Sequence, residues 1–409
     1  MRILVHDHSG HPFQAQLSRE LARRGHEVTH SYCAAYRSGK GRLRAEPGET
    51  LRFAAIGEGI TILKMRFRRR LLQELRFGWQ LVRLVRRVRP EIVLVANVPL
   101  PTLIVISAFL RARAIPWVLW HQDVQAIAMR SFAGNKLSRL FRVVAWTAGI
   151  TEKWCCRRAA SIVVIAQSFV DVHRLWGTAA KTTVIPNWAP LDEIYPVDRK
   201  NDWAVEHHLD SVQTLLYSGT LGLKHNPSLL VQLARRVIDT GRPLQLVVVN
   251  EGPAERVLRE EAERVDLPMT LLPFQPYERL PEVLGSGDVL VVLLEQNAGA
   301  FSVPSKTLSY LCAGRPVLGL MPSENLAAQL ITSVDGCVLA PSADSIDEAA
   351  AWIDEVLDDR GRGADLGARA RALAEREFSL PASADRFEAV LQAAATGGRP
   401  PAFRSASGR

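Results

Sequence analysis

The sequence predicts an α/β protein built from two doubly wound domains. Three observations predict this class: short runs rich in Val and Ile recur, helical stretches separate them, and the alternation lapses once near the middle of the chain. Buried parallel strands read as continuous apolar runs, so each series of runs predicts one parallel sheet. We therefore expect two such domains facing a central cleft, where ligands bind beyond the carboxyl ends of the strands.

The first series of runs predicts an N-terminal domain over residues 1–190. It opens with the strand RILVH, a glycine loop, a helix that ends at Gly25 and the strand EVTHSY. Further strands are predicted at IVLVAN, WVLW, SIVVIA and TTVIP. The uncharged segment 92–110 is nearly long enough to span a bilayer, but Pro99 and Pro101 divide it. A strand, a loop and a helix are the better interpretation.

The second series predicts a C-terminal domain over residues 214–375, after a linker at 191–213 that has Pro, charge and little periodicity. Its predicted strands are TLLYSG, LQLVVVN, MTLLPF, DVLVVLL, PVLGLM and GCVLA. A C-terminal helix is expected at 376–396, and a Gly-, Pro- and Ser-rich disordered tail at 397–409.

Composition narrows the class of protein. The five cysteines include no CxxC pair, so neither a disulfide framework nor a zinc site is expected and a reducing cytosol fits. The first residues contain too short an apolar run for a signal peptide. The net charge of +9 is compatible with nucleic acid, an anionic membrane or phosphorylated substrates. Nucleic acid ranks last, because no common nucleic-acid signature is present.

Two glycine- and lysine-containing segments predict a phosphate site in the second domain. In SVPSKTLSYLCAGRPVLGL a helix begins near Ser305, and its N–H groups together with Lys306 suit a diphosphate. In YSGTLGLKHNPSLL, Gly219 and Gly222 allow close approach to a ligand that Lys224 can neutralise. The alternatives are a capped helix with a solvated lysine, and a turn with a surface lysine.

Two loops of the first domain carry weaker signals. Gly10 lies between a strand and a helix, with His8 and His11 beside it as candidate substrate contacts. His121 and Asp123 follow the strand WVLW and are candidates for acid/base chemistry. No third metal ligand stands near this pair in the sequence, so no metal site is predicted.

These segments, in this order, resemble glycosyltransferase family 4, retaining enzymes of the GT-B fold with two Rossmann-like domains. Within the family the chain is similar to bacterial exopolysaccharide, O-antigen and colanic-acid transferases. The stretches that carry the resemblance are SGHPFQAQLSRELARRGHEVTH, AASIVVIAQSF, TVIPNWAP, YSGTLGLKHNPSLL, VVVNEGP, LLPFQPYERLPEVLGSGDVLVVLL and VPSKTLSYLCAGRPVL.

The resemblance implies roles for individual residues. His121, Lys224 and Lys306 are the expected catalytic residues: His121 near the reacting sugar and both lysines at the donor diphosphate. For substrate binding it implies Gly10 near the donor phosphate and the acceptor, Gln275 and Pro276 at the base, and Ser305 and Thr307 at the helix facing the diphosphate. The other expected substrate-binding residues are His11 and Gly219, from the loops described above, and Thr220 and Ser309, at positions where the family usually has other residues.

Two departures from the family pattern stand out. The family often has two Glu residues eight positions apart, where this chain has Phe301 and Ser309. A basic residue is usual near the position of Thr220. Ribose binding by a carboxylate is therefore in question, and Glu295 is a carboxylate nearby.

A basic amphipathic stretch, residues 64–89, predicts contact with a membrane. Ten basic residues stand against one acidic residue, and apolar residues with Trp79 interleave at helical spacing. The alternative is a core-packed helix with a solvated basic face. Membrane contact also suits a lipid-linked acceptor.

Together these observations predict an enzyme that moves a sugar from an NDP-sugar to a glycan or lipid-linked acceptor, with retention, in cell-surface polysaccharide or glycoconjugate synthesis. No metal or other cofactor is expected, and the expected location is cytoplasmic, peripheral on the inner face of the plasma membrane. The alternatives are a catalytically weak membrane-associated partner subunit and a nucleotide-sugar epimerase.

Overall fold

The computed structural model describes residues 1–401 except 36–42, 58–66, 128, 130–138, 223, 253 and 299–302. The chain forms two compact units, the first comprising Met1–Asn187 with Leu380–Arg409 and the second Trp188–Ser379. Most of the predicted disordered tail lies outside the described residues, as does Phe301.

Unit 1 contains a parallel sheet of seven strands in the order β3-β2-β1-β4-β5-β6-β7. Its strands are β1 (Arg2–Asp7), β2 (Glu27–Cys33), β3 (Arg52–Ile56), β4 (Ile92–Ala96), β5 (Trp117–His121), β6 (Ser161–Val164) and β7 (Thr182–Val184). Six were predicted from their apolar runs. Strand β3, with sequence RFAAI, was not, because it is a short, partly exposed edge strand.

The helices of unit 1 cover this sheet. They are α1 (Pro12–Arg23), α2 (Phe67–Val88), α3 (Leu100–Ala112), α4 (Arg139–Arg158) and α5 (Gln167–Trp176). Segment 92–110 divides into β4 and α3, as its prolines predict, and Pro99 immediately precedes α3. Within the described part of the chain, no helix is long and apolar enough to cross a membrane.

A helix from the far end of the chain completes unit 1. This helix, residues Leu380–Thr396, returns to the first unit after the chain has formed the second. Arg24 donates to Asp385 at 2.6 Å and to Glu388 at 2.9 Å, and the Phe387 ring lies 4.5 Å from the ring of Trp120. The predicted C-terminal helix is therefore present, and it belongs to the N-terminal unit.

Unit 2 contains a second parallel sheet, in the order β10-β9-β8-β11-β12-β13. Its strands are β8 (Gln213–Ser218), β9 (Leu244–Val249), β10 (Met269–Leu272), β11 (Val289–Leu293), β12 (Val317–Leu320) and β13 (Cys337–Leu339). All six correspond to predicted apolar runs. The sheet and its helices bury one continuous apolar core.

One helix of unit 2 precedes its first strand, and the others follow its strands and continue beyond the last of them. They are α6 (Asp202–Glu206), α7 (Ser228–Ile238), α8 (Glu255–Arg264), α9 (Leu280–Gly285), α10 (Lys306–Ala313), α11 (Leu326–Thr332), α12 (Ile346–Asp358) and α13 (Arg360–Glu377), and the helix of unit 1 described above is α14. The stretch predicted as a linker contains α6 and packs on this unit: Trp203 is fully buried and Arg199 pairs with Asp288 at 3.0 Å.

Candidate functional site

The loop that follows β8 is the centre of the candidate site in unit 2. Gly219 has a φ of +140°, a conformation that side chains of L-residues rarely adopt. A Cβ atom at this position would lie 2.8 Å from Nζ of Lys306. The backbone conformation therefore requires glycine, and Lys306 packs directly against it.

Lys306, the first residue of α10, is held against the glycine loop by a tyrosine. Its Nζ donates to the hydroxyl of Tyr217 and lies 3.6 Å from the centre of that ring. The Tyr217 hydroxyl in turn donates to the carbonyl of Thr220 at 3.2 Å. Burial lowers the pKa of Lys306 well below its ordinary value. The predicted phosphate lysine is thus fixed in place, in surroundings where burial disfavours its charged form.

His225 joins the two lysines into one cluster. Its Nδ1 accepts the backbone N–H of Gly222 at 3.1 Å, so in the neutral ring Nε2 carries the proton. Burial, and then the charges of Lys306 and Lys224, lower the pKa of His225 to about 3. Both predicted lysines therefore act on the same imidazole, although their positions in the sequence are 82 residues apart.

Glu295, the carboxylate near the expected ribose position, is linked to the same loop. Its backbone N–H donates to the carbonyl of Lys224 at 2.8 Å, and burial raises the pKa of its carboxyl group. The structure thereby places a carboxylate from the end of β11 beside the loop that carries Lys224.

Sequence reasoning assigned no role to several polar residues around this loop. Asn250 accepts the N–H of Leu221 at 2.8 Å through Oδ1, while its buried Nδ2 has no hydrogen-bond partner among the residues that the structure describes. The Thr307 hydroxyl is also buried, with no hydrogen-bond partner in the described part of the chain. An unpaired buried polar group costs about 1–3 kcal/mol, so two of them near one glycine loop indicate a place for a polar ligand.

Tyr310 fixes the base of the loop. Its hydroxyl accepts the backbone N–H of Ser218 at 2.9 Å, and burial raises its pKa. The signals for these residues were in the sequence, in the segments YSGTL, VVVNEGP and SKTLSY. Their apolar neighbours made the tyrosines look like core residues only.

The remaining predicted residues of unit 2 have varied surroundings. Ser305 immediately precedes α10 without capping it through its side chain, and Ser309 is half-buried on the same helix. The Gln275 amide accepts from the Trp203 indole at 3.1 Å and donates to a carbonyl of its own loop at 3.0 Å, and Pro276 beside it is exposed. These two hydrogen bonds use one of the two N–H groups and one of the two acceptor lone pairs of the Gln275 amide.

The predicted glycine loop of unit 1 is braced by a buried carboxylate. Gly10 has a φ of +75° and is buried. Asp7, at the end of β1, accepts the backbone N–H groups of His11 and Ser9 and the Asn97 amide at 3.0 Å. Burial raises the pKa of Asp7, while these donors partly oppose the shift. The loop is therefore preformed, with His11 half-exposed beside it.

His121, at the end of β5, has hydrogen bonds at both ring nitrogens. Its Nε2 lies 3.0 Å from the Glu152 carboxylate, and its Nδ1 lies 3.1 Å from Nε2 of His173. Because a carboxylate only accepts, His121 donates from Nε2 and accepts at Nδ1 from His173. Glu152 also accepts the backbone N–H groups of Gln125 and Ala126, at 2.9 and 2.7 Å. This series of hydrogen bonds positions the loop after β5, which carries the exposed Asp123.

The same region brings three possible metal ligands together. One atom each of His121, His173 and Cys156 lies within 4.8 Å of the others, and all three residues are buried. The cysteine and the second histidine lie 35 and 52 positions after His121, so the sequence did not reveal the cluster. The hydrogen bonds just described give both histidines partners within the protein. The absence of a metal stays a prediction.

Comparison with known proteins identifies family models that match the two parts of the chain. The model for Glycosyltransferase Family 4 matches residues 14–193, and the model for Glycosyl transferases group 1 matches residues 198–373. Together the matches take in most of both sheets. The class is therefore a glycosyltransferase of the GT-B fold.

Individual relatives agree with this class. The chain is 25% identical over 219 residues to an Escherichia coli (strain K12) protein named as a putative colanic acid biosynthesis glycosyl transferase, WcaI, covering 52% of this chain and 53% of the relative. It is 28% identical over 166 residues, 40% of this chain and 42% of the relative, to a Corynebacterium glutamicum GDP-mannose-dependent mannosyltransferase that acts on a monoacylated phosphatidylinositol monomannoside. The chain thus spans about half the length of the curated relatives it matches.

A solved structure extends the likeness to both units. Anabaena Alr3699/HepE, determined with UDP and glucose, superposes with a TM-score of 0.70 at 14% identity, covering 96% of this chain and all of the other. At this identity the likeness concerns the fold. The two family matches carry the assignment: the chain belongs to the glycosyltransferases, with Glycosyltransferase Family 4 matched by residues 14–193 and Glycosyl transferases group 1 by residues 198–373.

Proposed function

We propose that the chain transfers a sugar from a nucleoside diphosphate sugar to a glycan or lipid-linked acceptor, with retention at the anomeric carbon, in the synthesis of a cell-surface polysaccharide or glycoconjugate. The observation that carries this proposal is the cluster of Lys224, His225 and Lys306 around Gly219 and Gly222. Two lysines, an imidazole with a lowered pKa and a glycine loop suit an anionic ligand such as a diphosphate.

In the proposed reaction the bond between the sugar C1 and the diphosphate oxygen breaks. The acceptor oxygen bonds to C1, and the nucleoside diphosphate and the acceptor's proton leave. Negative charge grows on the departing diphosphate, so the lysines contribute most where that charge develops. Tyr217 keeps Lys306 in position for this purpose, because its ring and hydroxyl both hold Nζ. In this proposal the charge of the two lysines takes the place of a metal ion.

The donor and acceptor classes rest on the relatives' own names. The HepE structures hold UDP with glucose and UDP-glucose, and the Corynebacterium relative uses GDP-mannose and a lipid-anchored acceptor. A lipid-linked acceptor would place this enzyme at the inner face of the plasma membrane, which the basic helix α2 supports. We include an anionic membrane surface among its proposed partners.

The first experiment identifies the donor and then tests the phosphate site. Thermal shift with UDP-, GDP- and TDP-sugars selects the donor, and kcat/KM is then measured for Lys224→Ala beside the exposed Lys200→Ala of the same unit. Loss of one charge-assisted contact should lower kcat/KM by about 2–3 kcal/mol, or roughly 30- to 150-fold. Lys200→Ala should match the wild type. Equal kcat/KM for all three proteins would show that the diphosphate binds elsewhere.

The absence of the usual second glutamate motivates one alternative. Ser309 occupies its position on α10, so the chain could bind a nucleotide as a partner subunit without transferring sugar. Stabilisation by nucleotides with no turnover of any sugar donor would favour that alternative over the enzyme.

A further inference from the structure

Three helices of unit 1 expose an unusual number of large apolar side chains. Trp79 on α2 is 58% exposed and Trp146 on α4 is 59% exposed. The other members are Leu71 and Leu72 on α2, Ile104 on α3, and Val143, Val144 and Ile150 on α4. We call these eight residues the three-helix face. Exposed apolar residues occur singly on most proteins, whereas a group of this size marks a surface that is covered in use.

The three helices lie side by side, with α3 in the middle. The Thr102 hydroxyl on α3 donates to the backbone carbonyl of Glu74 on α2 at 2.7 Å. On its other side α3 meets α4, where Oγ of Ser107 lies 3.6 Å from Sγ of Cys155. The exposed residues of α4 are therefore part of the same helical layer as the basic stretch, which the sequence could not indicate.

The charge of these helices indicates what kind of partner the three-helix face binds. Their sequences contain seven arginines in α2, one in α3, and four arginines and a lysine in α4, against one glutamate in α2 and one in α4. Glu74 is paired with Arg70 at 2.7 Å, and Glu152 is buried in the His121 network. The helices that carry the apolar residues are thus strongly basic, and both of their carboxylates are already paired or buried.

We infer that the three-helix face docks on an anionic membrane, with the side chains of α4 entering the headgroup region beside those of α2. Apolar residues and Trp on one side of basic helices are the features of a segment that lies in the membrane interface. Long arginine side chains reach anionic headgroups from the same helices. The inference rests on the proposed membrane-linked acceptor and adds α3 and α4 to the contact.

A vesicle experiment on the full chain separates apolar insertion from attraction by charge. The double variant Trp146→Ser/Ile150→Ser removes two exposed residues of α4 and no charge. Its matched control is Leu175→Ser/Val205→Ser, which removes two exposed apolar residues outside the face. On vesicles of phosphatidylcholine with 30 mol% phosphatidylglycerol, the α4 variant should partition about tenfold more weakly than wild type, and the control should be unchanged.

Fluorescence tests insertion directly. Vesicles with brominated acyl chains should quench the wild type, and Trp146→Phe should lose a measurable part of the quenching, while Trp154→Phe on the same helix should not. Vesicles of phosphatidylcholine alone should bind far more weakly, because the charge has no partner. Equal sedimentation of wild type and the α4 variant, with equal quenching in Trp146→Phe, would overturn the inference.

Two further measurements keep the outcomes apart. If the wild type forms a dimer that Trp146→Ser/Ile150→Ser dissociates, and neither protein binds vesicles, the face contacts a second copy and the membrane assignment is wrong. Donor-induced thermal shift should be the same in wild type and variant. A chain that binds vesicles as described but turns over no donor would contradict the proposed function while supporting the membrane face.

Discussion

The two units share one architecture and use buried polar groups in opposite ways. Unit 1 encloses five histidines, His6, His8, His30, His121 and His173, each of them buried. Unit 2 holds the groups of its candidate site, two lysines and one histidine, in and beside the loop that follows β8. The same fold can therefore use polar side chains in internal hydrogen bonds or in a candidate anion site. We expect acid to affect the first use and substitution of a lysine to affect the second.

Acid should distinguish the units most strongly. Burial lowers the pKa values of His8, His30 and His173 to about 4, 3 and 3 from an ordinary 6.5. The unfolded chain protonates first as the pH falls, so stability is full above pH 6.5 and decreases from there towards pH 4–3. At pH 5 each histidine should cost about 2 kcal/mol, or about 6 kcal/mol together. Urea unfolding of unit 1 at pH 7 and 5 measures this loss.

Two variants test this prediction. His30→Gln should make the unfolding free energy of unit 1 less dependent on pH. The control is His208→Asn, at an exposed position of unit 2, which should leave that pH dependence unchanged. A wild-type stability that is flat between pH 7 and 5 would contradict the assignment of neutral buried histidines.

Removing the clamped lysine should affect unit 2 alone. Lys306→Met keeps most of the side-chain volume and deletes the charge beside Gly219, so kcat/KM should fall about 100- to 1000-fold with little change in acid stability. Kinetics with the selected donor measure the effect, and Lys200→Met is the matched control. A decrease below threefold would mean that the lysine supports the Tyr217 loop without acting on the diphosphate.

The smallest effect is expected at Ser309. A hydroxyl is a weaker partner for a ribose than a carboxylate, so Ser309→Ala should change the donor Kd by less than about tenfold, or 1.4 kcal/mol. Ser309→Glu restores the commoner family residue and should be tolerated or should tighten donor binding. Calorimetry decides between these outcomes. A loss above a hundredfold in Ser309→Ala would make Ser309 a principal ligand.

Much of the fold could be predicted from the sequence because buried parallel strands are recognisable as runs of Val, Ile and Leu. Twelve of the thirteen strands were found in this way, and prolines placed the boundary between β4 and α3. Strand β3 escaped because it is short and partly exposed. The stretch predicted as a linker is instead packed on unit 2 through Trp203, a contact made across 72 positions to Gln275.

The candidate site was harder to predict because its geometry joins distant segments. Lys224 and Lys306 could be found from glycines and helix starts, whereas the role of Tyr217 could not, because a tyrosine inside an apolar strand resembles core. Similarly, the partners of His121 come from two later helices, and no local pattern links Glu152 or His173 to it. Long-range partnerships of this kind depend on tertiary packing, which spacing alone does not reveal.

The return of α14 to unit 1 has a consequence for how the chain is made. During synthesis the whole of unit 2 emerges from the ribosome before residues 380–396 can cover Trp120 and pair with Arg24. In topological terms unit 2 is an insertion within unit 1. The N-terminal sheet is therefore covered by its last helix only after unit 2 has been synthesised. The first unit to be translated is therefore the second to be completed, and its exposed apolar surface must be tolerated or protected in the interval.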